Sequence, residues 1–246
     1  MSKQKKMLLI VEGEKADKKL FEKLLQEYEL DLEYQLYSYK TNIYELYHRL
    51  FQNDEDWDTL DLLLTLKEKD KDNHILNENY SDIVLVFDYD PQDSLYDDEK
   101  ITKLLAYFNE STENGKLYLN YPMVESYKHF KRIPDPEFFD RTVSMNVLQE
   151  GKYKEQVGKE TCIQDLRKVT RNDFDSIIIA NIQKAIYISH ARSDLNNKEA
   201  YQIYDDNILL KKQIESLHNN YVYVLNTSLF FIADYNFSLL SQKETM

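Results

Sequence analysis

The chain is poor in residues that break regular structure and in residues that cross-link it. Among 246 residues there are four glycines, four prolines, one tryptophan and one cysteine, Cys162. So few glycines and prolines predict a chain made mostly of helices and strands. One cysteine excludes an intramolecular disulfide framework and a thiolate zinc site, and makes a reducing cytoplasmic location the expectation. No run approaches the roughly 18–20 apolar residues of a membrane-spanning helix. The basic start, MSKQKK, is followed by apolar residues only over 7–11, too short a core for a secretory signal. The chain has no GxxxxGK[ST], GxGxxG or GxSxG pattern, and its histidines show no zinc-like pairing, so no Walker-type nucleotide site is expected.

Positive charge is also scarce. Lys and Arg number 31 against 44 Asp and Glu, a net charge of −13. This argues against a nonspecific nucleic-acid coat, which needs many phosphate-neutralising cations. It leaves room for an enzyme that grips nucleic acid through a local basic patch and bound metal ions. The apolar fraction of 42%, with 20 Tyr and 11 Phe, is that of a globular protein. The aromatics read first as core packing and second as base-stacking surfaces. Phe230, Phe231, Tyr235 and Phe237 are expected to pack the last helix onto a second lobe or another subunit.

Strands and helices alternate over the first 135 residues. Residues 7–11 read as a buried strand. A helix follows from about residue 15, with Leu20, Phe21, Leu24, Leu25 and Tyr28 on one face. Residues 32–39 alternate as a second strand. Helices are predicted over 43–51, with Thr41-Asn42 as cap, over 57–66 and over 98–108, and residues 67–78 read as an exposed connection. Residues 83–87, IVLVF, form the clearest strand, and 116–119 a fourth. This order predicts an α/β fold, a parallel sheet flanked by helices. Residues 131–140 hold two of the four prolines and mark the expected boundary between a domain over 1–135 and a mainly helical lobe over 136–246. In that lobe, helices are predicted over 172–190, 201–218 and 227–240, and a strand over 221–225.

The chemistry gathers where strands end. In open parallel sheets, sites lie beyond the carboxyl ends of the strands. The first strand runs into Glu12-Gly13-Glu14, the third into Asp88-Tyr89-Asp90, and the turn after the fourth, NYPMVES, carries Glu125. Residues two apart on extended backbone face the same way, so Asp88 and Asp90 can share a point with Glu12. Carboxylates so crowded repel, and a divalent cation with oxygen ligands and open positions relieves that repulsion. Gly13 would let a metal or phosphate approach the backbone, and Glu14 reads as a helix-start acid. Asp17 and Glu125 read equally as helix caps or as ligands. His129 reads as a surface histidine.

These motifs together resemble the Toprim domain: a hydrophobic strand ending in Glu-Gly, then a strand ending in Asp-x-Asp. IVEGEKADKKLF, with Asp17 five residues after Glu12, and NYPMVESYKHF, with a Pro-x-x-Glu element, are similar to the Toprim nucleases of the OLD and RloB type. The segment GKETCIQDLRKVTRNDFDSIIIANIQKAIYI looks most like the stand-alone Toprim effectors of the PARIS anti-phage system. The run DYDPQD departs from the family, since Pro91 intervenes and Asp93 is displaced, and no third aspartate ligand is carried over.

The resemblance implies a Toprim, Rossmann-like sheet and Mg²⁺- or Mn²⁺-dependent phosphodiester cleavage. Glu12, Asp17, Asp88, Asp90 and Glu125 would serve the metal, with Glu12 as ligand or general base. Lys128, or Lys15, would stabilise charge on the phosphate. Lys131 and Arg132, and Arg167, Lys168 and Arg171, are the candidate nucleic-acid contacts. The implied role is a toxic effector in phage defence that cleaves RNA, tRNA first, with an ABC-type ATPase partner and an active homodimer. Alternatives are a DNA-cleaving Toprim nuclease, a Toprim-type ribosomal RNA maturase, against which the large helical lobe counts, and a non-catalytic Toprim-like regulatory or interaction subunit.

Overall fold

The computed structural model describes residues 6–30, 32–51 and 56–240. Its first strand, β1 (Lys6–Val11), is an unbroken apolar run from Met7 onward and is buried throughout that run. Helix α1 (Ala16–Tyr28) follows, then β2 (Glu33–Ser38), α2 (Ile43–Leu50), α3 (Leu62–Lys69), β3 (Asp82–Asp88), α4 (Asp98–Tyr107), the two-residue β4 (Asn109–Glu110) and β5 (Gly115–Tyr121). The sheet order is β2-β1-β3-β5-β4. β1 lies parallel to both neighbours, with Val11 opposite Ser38 on one side and Val86 on the other. The fold is thus α/β, with a mixed, mostly parallel central sheet flanked by helices. β4 runs antiparallel to β5, as does β8 (Leu225–Asn226), which contributes a late addition to the sheet.

The remaining elements are β6 (Thr142–Ser144), α5 (Met145–Gln149), α6 (Tyr153–Glu160), α7 (Arg171–His190), α8 (Asn197–Gln202), α9 (Asp206–Leu217), β7 (Tyr221–Tyr223) and α10 (Phe231–Asn236). β6 and β7 pair antiparallel as a separate two-stranded sheet. No helix among the described residues is long and apolar enough to cross a membrane.

Several expected elements differ, each for a local reason. The helix expected over 57–66 starts later, because the Asp61 side chain accepts from Leu64 N and fixes the cap there. Trp57 instead packs its ring 4.5 Å from Phe51 and 5.1 Å from Tyr107. The stretch over 67–78 holds a short 3₁₀ turn, His74–Asn77, with Leu76 fully buried. The helix expected over 201–218 is two helices, since Asp205 caps α9 by accepting from Asn207 N and Ile208 N. The segment over 227–240 is broken into α10 between two 3₁₀ turns. By contrast, α7 starts at a full capping box, Thr170 with Asp173, and runs unbroken for 20 residues.

Contacts divide the chain into two compact units. One holds Met1–Lys18, Asp31–Phe87 and Ser94–Tyr118; the other holds Lys19–Leu30, Asp88–Asp93 and Leu119–Met246. The core of the first is built from Leu8 to Val11, Val84 to Phe87, Tyr39, Tyr44 and Leu104. In the second, the apolar face of α1 packs Phe21 against Phe231, ring centroids 6.4 Å apart. The Tyr28 hydroxyl donates to Asp175 at 2.6 Å.

Several polar groups buried in the second unit are joined in networks. Asn226 is fully buried: its N–H donates to Asn181 Oδ1 at 2.7 Å and its side-chain amide donates to Val124 O and Ser126 Oγ, both at 3.2 Å. Arg141 pairs with buried Asp135 at 2.8 Å. Lys184, also fully buried, donates to the carbonyls of Phe138 and Arg141 at 2.8 and 2.6 Å. Burial, and then the neighbouring Arg141, hold its ammonium well below the usual lysine range.

Asn226→Ala should therefore cost about 3 kcal/mol, since it orphans several buried partners. Thr170→Ala, at an exposed cap, should cost only about 1 kcal/mol. Urea unfolding of both variants checks the ordering; equal costs would contradict it.

Candidate metal centre

The end of β1 is locked to β3 beyond the last paired residue, because Glu12 N donates to Val86 O at 3.0 Å. Glu12 therefore stands beside the terminal residues of β3, one strand spacing away. Asp88 closes β3 and is 7% exposed; its Oδ1 accepts from Val124 N at 2.7 Å. Tyr89 turns into the core, with its ring 5.1 Å from Tyr121. Its N–H donates to Asn120 O and Pro122 O, which pins the backbone between the two aspartates. Asp90 then adopts a left-handed backbone, φ 36°, a conformation that aspartate tolerates better than most residues. The outcome is that Glu12, Asp88 and Asp90 each offer a carboxylate oxygen within 4.8 Å of the others. This is the cluster expected from the strand ends.

Burial pushes the Asp90 carboxyl up to about 6; Gln92 and Lys154 pull it down, and Asp93 and Glu125 push it further up. The Gln92 side-chain amide donates to Asp90 Oδ1 at 3.0 Å. A carboxyl raised chiefly by burial is one whose charged form a bound cation would stabilise. The three oxygens are hard donors with no nitrogen or sulfur among them, so the cluster could hold a metal ion of the kind that takes carboxylate ligands.

Asp17 and Glu125 lie outside this cluster. Asp17, in the first turn of α1, is buried against Gly13, where a side-chain carbon would meet its Oδ2 at 2.5 Å. Gly13 thus makes room for Asp17. Glu14 pairs with Lys40 at 2.7 Å. Glu125 sits in a 3₁₀ turn, Val124–Lys128, and its carboxylate pairs with Lys154 Nζ at 3.4 Å.

Lys154 was not visible as a candidate. Burial lowers its pKa, but Glu125, Asp88 and Asp90 outweigh that and hold its ammonium above the usual value. It lies near the start of α6, about thirty residues beyond Glu125, and no motif spacing connects it to the acids. Lys128, the expected cation, makes no ion pair with these carboxylates among the described residues, and its backbone carbonyl accepts from Thr161. His129 is fully buried rather than at the surface, since its ring nitrogens meet Tyr153 Oη at 3.2 Å and Glu160 Oε2 at 3.1 Å.

The expected nucleic-acid contacts are mostly engaged elsewhere. Lys131 pairs with Glu137 at 2.8 Å, and Arg167 with Asp165 at 2.8 Å. Arg171 donates to Leu239 O at 2.8 Å and lies 4.9 Å over the Tyr28 ring. Arg132 and Lys168 are exposed; Lys168 and Cys162 line an open cleft of about 400 Å³. Comparison of the chain with protein-family models, curated proteins and solved structures gives no match.

Since burial raises the folded pKa of Asp90 from the ordinary value of 3.8 to about 6, the fold loses stability progressively as the pH rises through that interval, and the loss is complete above it. In metal-free solution at pH 7.5, Asp90→Asn should raise stability by about 1–3 kcal/mol, and the gain should vanish below about pH 4. Mn²⁺ affinity of the native chain should fall by about tenfold per unit as the pH drops below 6. Thermal unfolding and metal titration across pH check both; a pH-independent affinity would contradict them.

Proposed function

We propose that this chain is a Toprim-type nuclease that cleaves phosphodiester bonds with Mg²⁺ or Mn²⁺. The observation that carries the reading is the convergence of Glu12, Asp88 and Asp90 at the carboxyl ends of two paired parallel strands. Those three side chains would hold the cation, which when bound supplies polarisation of a phosphoryl oxygen and a more acidic water. Glu12, partly exposed where Asp88 is buried, fits a role as ligand or base. Lys154 supplies positive charge beside Glu125 and the aspartates, the role first expected of Lys128.

By the same reading the substrate is RNA, with tRNA first and DNA second. The biological role is a toxic effector in phage defence, cytoplasmic, restrained by an ABC-type ATPase and active as a homodimer. The support for these finer points is the sequence resemblance alone.

A second reading, a non-catalytic Toprim-like regulatory or interaction subunit, is favoured by one observation. Most of the basic residues expected to grip nucleic acid are tied up in ion pairs or packing. Under that reading the acids would hold a cation structurally.

Sequencing of cellular RNA ends after induction separates the readings. The nuclease reading expects new site-specific ends with the native chain and their loss, by at least about a hundredfold, with Glu12→Gln. Purified protein that binds Mn²⁺ but leaves both tRNA and DNA intact would overturn it.

A further inference from the structure

Beside the acid cluster, on the next strand over, lies a group of cations that the reading above does not use. Just past β2, Tyr39 N donates to Val11 O at 2.8 Å and Lys40 N donates to Glu12 O at 2.9 Å. Tyr39 is 1% exposed and acts as a post for two cations. Lys69 Nζ, from the end of α3, donates to the Tyr39 carbonyl and lies 3.4 Å above its ring centroid. Arg49, from the last turn of α2, lies with Thr41 at the Tyr39 hydroxyl, which is buried and makes no well-formed hydrogen bond.

Neither Lys69 nor Arg49 makes an ion pair among the described residues. Nearby carboxylates are otherwise placed: Glu14 pairs with Lys40, Asp70 accepts from Asn73 at 3.1 Å, and Glu45 is exposed. Burial and then the adjacent Arg49 hold the Lys69 ammonium down at about 8. Two like charges, half-buried around one tyrosine in a chain of net charge −13, are costly unless an anion joins them. An ammonium and a guanidinium fork together match a phosphate group. The carboxyl edge of a parallel sheet is where such a ligand binds.

We propose that Lys69 and Arg49, held by Tyr39 and flanked by Lys40, form a phosphate-binding subsite. It takes the phosphate of a nucleic-acid backbone or of a small phosphorylated compound. It is built within one compact unit and does not depend on cleavage at the acid cluster.

The test uses the full chain in EDTA, so that no divalent cation contributes. Inorganic phosphate binding is followed by calorimetry, and binding of a 12-nucleotide single-stranded RNA by fluorescence anisotropy. Lys69→Met and Arg49→Gln should each weaken phosphate binding about tenfold or more, with melting temperature followed as the folding control. Lys103→Gln, on α4, should leave it unchanged. A parallel loss of RNA affinity assigns the subsite to a nucleic-acid backbone. Loss for phosphate alone keeps the subsite and assigns it to a small phosphorylated compound. No phosphate binding by the native chain, or equal binding by both folded variants, overturns the proposal. Because Glu12→Gln tests the metal centre separately, failure here leaves the acid cluster untouched, and failure there leaves this subsite standing.

Discussion

Electrostatic repulsion among Glu12, Asp88 and Asp90 is the constraint around which this molecule is arranged. Three carboxylates within 4.8 Å of one another do not stay together in water unless the backbone forces them to. Here the backbone does so by sheet pairing. The hydrogen bond from Glu12 N to Val86 O extends the β1–β3 ladder to the last possible residue. The hydrogen bonds from Tyr89 N and Asp90 N to Pro122 O fix the other side. The buried Asn226 network supports the same turn through Val124, whose N–H reaches Asp88. Stability is therefore spent on holding like charges together, a pattern that functional sites share and structural cores avoid.

Much of this was legible in the chain. The apolar runs over 7–11 and 83–87 read as strands because burial on both faces demands continuous hydrophobicity. The acids follow those runs directly, so their placement at one sheet edge follows from topology alone. The apolar face of α1 was equally plain, because five residues repeat at helical spacing.

What was illegible depends on pairs far apart in sequence. Lys154 reaches Glu125 only through the fold of the second unit, and no local pattern announces it. His129 looked like a surface residue because its partners, Tyr153 and Glu160, lie 24 and 31 residues away. β8 joins the central sheet from a segment about a hundred residues beyond β5, and two residues carry no periodicity to detect. The packing of Gly13 was hidden for a simpler reason: Asp17 is drawn back against it by one turn of helix. At the break between α8 and α9, a single capping aspartate, Asp205, overrode a helical apolar pattern.

The most direct test of the account is the anomalous scattering of crystals grown with Mn²⁺. The account predicts one strong peak with oxygens of Glu12, Asp88 and Asp90 at about 2.2 Å. A well-ordered crystal with that cluster empty at millimolar Mn²⁺, or with the ion bound elsewhere, would contradict it.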